Sequence, residues 1–247
     1  MTEFLMIMCL VLVGSVLALI GGVLFLSIKA WSKFLAKYSV PFAAGVLLTV
    51  SLIGLVPEAH HLIDHQAYPV ILFTLIGVYL FETWVCHLHH HQCEDDDHHF
   101  HGSALWVIIG DTIHNFVDGV AIAAAYLANP GLGLVTAVST FLHEVPHEIG
   151  DFGVLLSLGW NKTKIIIINL VSSLAALGGA FIIFFFNPSD QVFGYLISIS
   201  AGMFLYLGAS DFLPQADSKL SKINAVIALL LGVGLMYLTL QAIPHHH

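Results

Sequence analysis

Charged residues are scarce in this sequence. Only 9% of its 247 residues are Asp, Glu, Lys or Arg, whereas 58% are hydrophobic and the mean hydropathy is +0.91. A soluble domain of this size needs far more charge to cover its surface. The apolar runs along the whole length instead predict an all-α polytopic membrane protein that forms one domain over residues 1–247.

Other features are missing as well. The three cysteines do not make a disulfide framework, and no basic leader precedes the first apolar run, so we expect no cleavable signal peptide. The phosphate-binding pattern GxxxxGK[ST] is absent, which argues against ATP drive within this chain. Residues 244–247 (PHHH) look like the remnant of a purification tag and receive no role. We expect no organic cofactor and no nucleic acid partner.

Eight apolar segments are long enough to cross a bilayer, which takes about 20 residues of α-helix. Prolines and the Asn-Pro-Gly run at 129–131 lie at their edges. The predicted spans 1 to 8 cover residues 4–27, 40–59, 69–88, 104–128, 131–158, 164–186, 191–213 and 223–243.

The basic residues give these spans an orientation. All seven are lysines, and they follow spans 1, 5 and 7: Lys29, Lys33, Lys37, Lys162, Lys164, Lys219 and Lys222. A chain of eight spans places those three connections on one side, which the positive-inside rule makes cytoplasmic. We therefore expect both termini outside, and the short loops favour a bacterial inner membrane.

Spans 2 and 7 share a sequence pattern. Residues 45–59 and 202–216 both read Gly-x11-Pro-x-Ala. Because span 2 would run outward and span 7 inward, the pattern predicts an inverted repeat, an arrangement common in transporters. A chance match between apolar helices is the alternative.

Spans 4 and 5 carry polar side chains inside apolar segments. Residues 114–118 (HNFVD) and 143–147 (HEVPH) place them at positions i, i+1 and i+4, which form two neighbouring columns on a helix. A carboxylate at mid-membrane costs on the order of 2.5–3.5 kcal/mol, and a divalent cation offsets such charge most directly. The candidate metal ligands are His114, Asn115, Asp118, His143, Glu144, His147 and Glu148, with Asp111 and Asp151 as auxiliary positions along a metal path.

Three explanations fit the polar side chains of spans 4 and 5. Imidazole and carboxylate donors suit Zn²⁺, and Fe²⁺, Mn²⁺ or Cd²⁺ are further candidates. The H-E-x-x-H pattern at 143–147 also matches zinc metalloproteases, but Pro146 disrupts the hydrogen bonding of a helix and favours an ion path over a rigid catalytic helix. A buried hydrogen-bond network between the helices is the plainer alternative.

A histidine-rich segment over residues 87–103 follows span 3, on the predicted cytoplasmic side. Together with its acidic run it can chelate divalent metals in many arrangements, through His87, His89, His90, His91, His98, His99 and His101. We predict a loop that receives or senses metal, with a solvated acidic loop as the alternative.

The opposite side carries further acidic and histidine residues. Residues 58–65 (EAHHLIDH), starting at Glu58, predict an acidic outer mouth that raises the local cation concentration, against an ordinary solvated loop. Asp211 on span 7 is either a secondary stop along the metal path or an interhelical hydrogen-bonding residue.

In these motifs the sequence resembles the ZIP family of zinc and iron transporters, in its LIV-1-type branch. Residues 114–119 resemble that branch's HNxxD motif, residues 143–148 resemble its HExPHE motif, and residues 202–214 look like the family's span 7. The resemblance implies an eight-helix homodimer in which one helix bundle moves against another. It also implies uptake of zinc into the cytoplasm without enzymatic chemistry; a metal exporter or sensor is the alternative.

The resemblance further implies a binuclear metal site. By motif position, His114 and Asp118 would hold one metal, Asn115 and Glu144 would hold the other, and His147 would lie at or between them.

Three more positions follow from the same comparison. A span 6 residue completes the second metal in relatives, and the candidates here, Asn169 and Ser172, are weak donors. His143 stands at the position linked to metal preference, where histidine favours zinc. Gly54 stands where many relatives have a histidine, which puts a span 2 ligand in doubt.

Overall fold

Nearly all of the residues that the structure describes are helical. The computed structural model describes residues 2–27, 29–90, 99–186, 188–216 and 222–243, and no strand occurs within these ranges. Six stretches of the described residues are long and apolar enough to cross a membrane. The prediction of an all-α polytopic membrane protein is therefore confirmed.

Helices occupy all eight predicted spans. Spans 3, 4, 5 and 8 are single α-helices at Ala67–His90, His99–Ala128, Pro130–Ser157 and Lys222–Ala242. Span 6 consists of the α-helices Lys162–Ser173 and Ala175–Phe186. The other three contain a π-helical segment: span 1 is Thr2–Val11, Leu12–Val16 (π) and Leu19–Ser27; span 2 is Lys29–Thr49, Val50–Leu55 (π) and Val56–Ile63; span 7 is Asp190–Tyr206, Leu207–Phe212 (π) and Leu213–Ala216.

Two features explain why eight helical spans give six apolar stretches. Spans 2 and 3 fall into one stretch, Tyr38–Phe81, because only the 3₁₀ turn Asp64–Gln66 separates them. Span 5 is not among the six, since it carries Glu144, Glu148 and Asp151 near its middle.

Two connections are shorter than predicted. Span 2 begins at Lys29, so the lysines predicted to follow span 1 lie within a helix, and Pro41 lies inside it rather than at its edge. The predicted histidine loop over 87–103 is helical up to His90 and again from His99. Residues 91–98, which include His91 and His98, lie outside the described residues.

Helix contacts follow the predicted inverted repeat. Span 2 packs against span 8, and span 7 packs against span 3. The shared glycines lie at these contacts: a Cβ atom on Gly45 would collide with the backbone of Leu229, and one on Gly202 would lie 2.7 Å from the carbonyl oxygen of Ile71. Each π-helical segment begins five residues after its glycine, at positions 50 and 207. The repeat is thus a feature of the backbone as well as of the sequence.

The spans form two groups. Spans 2, 3, 7 and 8 pack together, while span 4 packs against span 6 and span 5 against span 1. The contact between spans 4 and 6 is close, because a Cβ atom on Gly119 would overlap the backbone of Ala176 and one on Gly179 would overlap the carbonyl of Phe116. Small residues permit such approach between membrane helices. The polar side chains of spans 4 and 5 therefore belong to one tightly packed group.

Candidate metal centre

Four ligand-type side chains of spans 4 and 5 meet in the interior: His114, Asp118, His143 and Glu144, which we call the central cluster. None has more than 4% of its surface exposed. His114 Nε2 lies 3.1 Å from Glu144 Oε1. His143 Nε2 lies 3.1 Å from Asp118 Oδ2 and 3.3 Å from His114 Nε2. The longer separations are 3.8 Å from His114 Nε2 to Asp118 Oδ2 and 4.0 Å from His143 Nε2 to Glu144 Oε1.

These separations suit a tetrahedral zinc ion. Zinc binds nitrogen and oxygen ligands at about 2.0–2.1 Å, which puts neighbouring ligand atoms of a tetrahedron about 3.3 Å apart. The three shortest separations in the central cluster, 3.1, 3.1 and 3.3 Å, are close to that value. The two longer ones need a closure of less than about 1 Å, which side-chain rotation can supply.

Hydrogen bonding at His143 leaves its second ring nitrogen free to bind a cation. His143 Nδ1 lies 3.0 Å from the carbonyl oxygen of Ser139, one helical turn away. Because a carbonyl only accepts, Nδ1 carries the proton in neutral imidazole and Nε2 presents a lone pair. That lone pair faces an oxygen of Asp118, which is also an acceptor. Only a cation, either a proton or a metal ion, can stabilise two facing acceptors.

The carboxylate oxygens of the central cluster lack hydrogen-bond partners among the described residues. Both oxygens of Asp118 and both of Glu144 are buried without one, as is His114 Nδ1. A buried polar atom without a partner is costly. Even if the 3.1 Å contact between His114 Nε2 and Glu144 Oε1 is a hydrogen bond, Glu144 Oε2, Asp118 Oδ1 and His114 Nδ1 have no partner among the described residues, which favours cation binding over the network alternative.

A second set of acidic donors adjoins the first. Ligand oxygens of Asp111, Glu144 and Glu148 lie within 4.8 Å of one another, and all three residues are buried. Asn115 Nδ2 donates a 2.8 Å hydrogen bond to Asp111 Oδ1, and Asn115 Oδ1 has no partner among the described residues. Glu144 belongs to both sets.

A third set contains His147, Asp151 and again Asp111. His147 Nδ1 lies 3.6 Å from Asp151 Oδ2, and its ring stacks on that of His114 with centroids 4.7 Å apart and an interplanar angle of 17°. His147 and His143 thus belong to different donor sets. In an H-E-x-x-H protease both histidines bind one ion, so this separation argues against the protease alternative.

A cavity of about 580 Å³ leads away from the donors. His114, His147, Asp111 and Asp151 line it, together with residues of spans 3, 4 and 7 that lie between positions 74–81, 107–117 and 199–207. Asp118, His143 and Glu144 do not line it. The cavity therefore extends from the second and third sets toward the ends of spans 3 and 4 that flank the histidine-rich segment.

The two span 6 candidates are both buried and hydrogen-bonded. Asn169 is buried and donates from Nδ2 to the carbonyl oxygen of Ile165 at 2.8 Å. Ser172 is buried and shares a 3.0 Å hydrogen bond with Thr112 Oγ1 of span 4. Among the described residues, the donor sets come from spans 4 and 5 and from the turn between spans 2 and 3.

The remaining candidates lie elsewhere. Glu58 is buried near the start of the helix Val56–Ile63, and Asp211 is half-buried in the π-helical segment of span 7; each interacts with another residue. His87, His89, His90, His99 and His101 lie on the ends of spans 3 and 4.

Two supporting residues escaped the sequence analysis. Ser139 orients His143 through its backbone carbonyl, a contact that the i−4 spacing on one helix makes predictable. Phe204 of span 7 meets the His143 ring edge-on with centroids 5.2 Å apart, so the second helix group covers that face of the central cluster. Nothing in the sequence alone links these two positions.

Comparison with known proteins agrees with this geometry. A profile of the ZIP zinc transporter family matches residues 86–240. Similar proteins include zinc transporter zipt-7.2 of Caenorhabditis elegans, 36% identical over 53% of this chain and 30% of its own length. Zinc transporter ZIP4 of Homo sapiens is 34% identical (53% and 20%), and zinc transporter ZIP10 of Danio rerio is 44% identical (46% and 14%). The resemblance to the LIV-1-type branch is confirmed, and the chain matches less than a third of each relative's length.

Proposed function

This chain belongs to the ZIP zinc transporter family, and from that premise we propose that it carries zinc into the cytoplasm through the donor sets of spans 4 and 5. Members of this family are transporters rather than enzymes. The observation that carries the proposal is the central cluster, in which two imidazoles and two carboxylates from two helices converge, with His143 oriented by Ser139 and with no protein donor that satisfies both oxygens of either carboxylate among the described residues.

Charge balance supports zinc as the cargo. Two carboxylates and two neutral imidazoles carry a formal charge of about −2, which a divalent ion neutralises in a site cut off from water. Mixed nitrogen and oxygen donors suit Zn²⁺, and Fe²⁺, Mn²⁺ and Cd²⁺ are the competing ions. His143 contributes a second nitrogen, which shifts the preference toward zinc and away from harder ions such as Mn²⁺.

We propose a binuclear site in which Glu144 bridges two ions. The first ion would take His114, Asp118, His143 and one oxygen of Glu144. The second would take the other oxygen of Glu144 with acidic donors of the adjoining set. The partnerless Oδ1 atom of Asn115 supports its assignment to this second ion. Asn169 and Ser172 of span 6 would be weak further donors to this second ion.

The cavity supports a release route toward the cytoplasm. It reaches the donors from the side of the histidine-rich segment, whereas the central cluster is closed toward the other end of span 4. With the lysine-bearing connections inside, a negative-inside potential favours uptake by about 2.3 kcal/mol per charge per 100 mV. Export is the alternative direction, because a binding site alone does not set one.

Movement between the two helix groups would open the site to the other side. The central cluster belongs to the group of spans 1, 4, 5 and 6, and Phe204 of the other group covers one face of it. A displacement of the first group would therefore remove this cover while the tight contact between spans 4 and 6 stays intact. We extend the proposal to a homodimer in a bacterial inner membrane, as the sequence resemblance and the short loops imply.

The test is zinc flux into liposomes that carry the purified protein and an internal zinc-sensitive dye. His114→Ala removes the side chain that contacts every other member of the central cluster, so uptake should fall to the rate of empty liposomes. Ser198→Ala is the matched control: Ser198 is also fully buried, but its hydroxyl donates only to the carbonyl of Gly194 within span 7. Zinc uptake by His114→Ala at the wild-type rate would refute the proposed path.

A further inference from the structure

A group of metal-ligating side chains lies apart from the central cluster, at the turn between spans 2 and 3. Ligand atoms of His60, Asp64 and His65 lie within 4.8 Å of one another. His60 Nε2 is 3.7 Å from Asp64 Oδ1, and His65 Nε2 is 3.8 Å from the same oxygen. Two imidazole nitrogens thus converge on one carboxylate oxygen.

Local backbone structure produces this convergence. His60 lies in the last turn of the helix Val56–Ile63, and Asp64 directly follows the end of that helix, with its Oδ1 atom 3.7 Å from His60 Nε2. Asp64 then adopts φ 52° and ψ −141°, a conformation that glycine adopts far more easily. This turn returns His65 to the same carboxylate. An aspartate therefore occupies a backbone conformation that glycine would adopt more readily. Its carboxylate is the group that both histidines face.

The turn is anchored to the neighbouring helix. A Cβ atom on Gly194 of span 7 would come within 2.5 Å of the Ile63 side chain, so these two residues pack closely. The Tyr195 hydroxyl donates a hydrogen bond to Gln66 Oε1. The His60 and His65 rings also lie 5.4 Å apart between centroids. The side chains of His60, Asp64 and His65 are therefore already close to a coordinating arrangement, because the turn that carries them packs against span 7.

The distances are near those of a zinc site. Neighbouring ligand atoms around tetrahedral zinc lie about 3.3 Å apart, so the two contacts need to shorten by about 0.5 Å. Asp64 and His65 are exposed and His60 is half-buried, which leaves a coordination position open to water. No lysine or arginine occurs between residues 38 and 161 to compete for the carboxylate. Three protein ligands with an open position are a common arrangement for exchangeable zinc.

We propose that His60, Asp64 and His65 form a discrete divalent-cation site that captures zinc on the outer face before it reaches the central cluster. The binding itself depends on these three residues alone. Its role in capture rests on the proposed function, because the topology in that proposal places the turn on the side of the membrane opposite the lysine-bearing connections.

Histidine modification by diethyl pyrocarbonate, read out by mass spectrometry, tests the site residue by residue. In the purified full-length protein, zinc at ten times the dissociation constant should slow labelling of His60 and His65 about tenfold, because only the metal-free fraction reacts. His61, exposed on the same peptide, is the internal control and should label at the same rate with and without zinc. His143, which is fully buried, should stay unlabelled and so reports that the fold is intact.

Asp64→Asn is the deciding variant, since asparagine tolerates positive φ but lacks the charge. Zinc protection of His60 and His65 should disappear in this variant while His143 stays unlabelled. His61→Ala is the matched control and should retain the protection of both. Unchanged labelling of His60 and His65 by zinc in the wild type, or full protection in Asp64→Asn, would overturn the inference.

Zinc flux in liposomes separates this inference from the proposed function. Protection without zinc flux leaves the cation site standing and refutes transport. Flux without protection refutes the outer site and leaves the central path in place. With both present, His65→Ala should raise the external zinc concentration needed for half-maximal uptake, and an unchanged value would refute the capture role.

Discussion

Replacing Asp118 by Asn should change zinc affinity and metal-free stability in opposite directions. Asp118 is fully buried, and neither carboxylate oxygen has a hydrogen-bond partner among the described residues. Its Oδ2 atom faces His143 Nε2 at 3.1 Å and His114 Nε2 at 3.8 Å. If Asp118 binds the ion, the substitution removes a metal ligand from the zinc-bound protein. In the metal-free protein it removes a buried, unpaired charge.

The size of the affinity loss follows from the burial of the site. Removing one partner of a buried charge pair costs about 3–5 kcal/mol. At about 1.4 kcal/mol per decade, that loss weakens zinc binding roughly 10²- to 10⁴-fold. Zinc at 100 times the wild-type dissociation constant stabilises the protein by about 2.7 kcal/mol, and a 100-fold weaker site reduces this to about 0.4 kcal/mol. For a chain of this size the lost increment corresponds to about 5–10 °C of unfolding temperature.

Thermal unfolding of the purified protein in detergent, with and without zinc, measures both effects. We expect the zinc-induced rise in unfolding temperature to be about 5–10 °C smaller in Asp118→Asn than in the wild type, while the metal-free variant unfolds no earlier than the wild type. Ser198→Ala serves as the control again, because it should lower both unfolding temperatures equally and leave the zinc-induced rise unchanged. A metal-free Asp118→Asn that unfolds well below the wild type would show that Asp118 holds the helices together, and our reasoning would fail.

Three further predictions follow from single positions. Gly110→Ala should stabilise the protein by about 0.5–1 kcal/mol, because nothing lies within 4 Å of the added Cβ atom. Gly119→Ala on the same helix should destabilise it by about 1–3 kcal/mol, since the methyl group meets the backbone of span 6; equal thermal shifts for the pair would contradict the packing. Glu144→Gln should remove two bound zinc ions per chain at fixed free zinc, against one for Asp118→Asn, and equal losses by metal analysis would rule out the bridging role. Thr163→Cys, in a background without other cysteines, should react with an impermeant maleimide only from the cytoplasmic side, and labelling from outside would reverse the topology.

Span positions were predictable because the bilayer sets the length of an apolar helix. All eight predicted spans are helical, and most ends agree with the structure within a few residues. The π-helical segments were not predictable, since these spans are apolar on nearly all sides and have no periodic pattern that an extra residue in a turn would shift. Their matched positions after Gly45 and Gly202 show instead that they follow the packing of the repeat. The start of span 2 at Lys29 was not predicted either. The lysines at positions 29, 33 and 37 interrupt the apolar run and therefore indicated a connection between spans.

The candidate ligand residues were predictable from the sequence. Which of them lie together in one donor set was not. Spacing on span 5 alone puts His143 and His147 on one face, which is why the protease alternative stayed open. Residues four apart on a helix can belong to one donor set, as His114 and Asp118 do, or to two, as His143 and His147 do. The neighbouring helix therefore decides the grouping, and it brings His143 to Asp118 at 3.1 Å and His147 into a stack with His114. A single sequence does not record which turns of two helices face each other.

The antiparallel course of spans 4 and 5 gives these groups a common origin. When the helices run in opposite directions, a step of one turn forward on span 4 matches one turn backward on span 5. Asp118 accordingly faces His143, His114 faces His147, and one turn further Asp111 shares a donor set with Asp151. Each turn of about 5.4 Å thus adds ligand-type side chains from both helices. This pairing accounts for the shared spacing of polar side chains in HNFVD and HEVPH. The paired side chains provide donors at every turn from the central cluster to the cavity. On the path that we propose, an ion would change ligands stepwise instead of losing all of them at once, so each step of its movement through the membrane interior would be short.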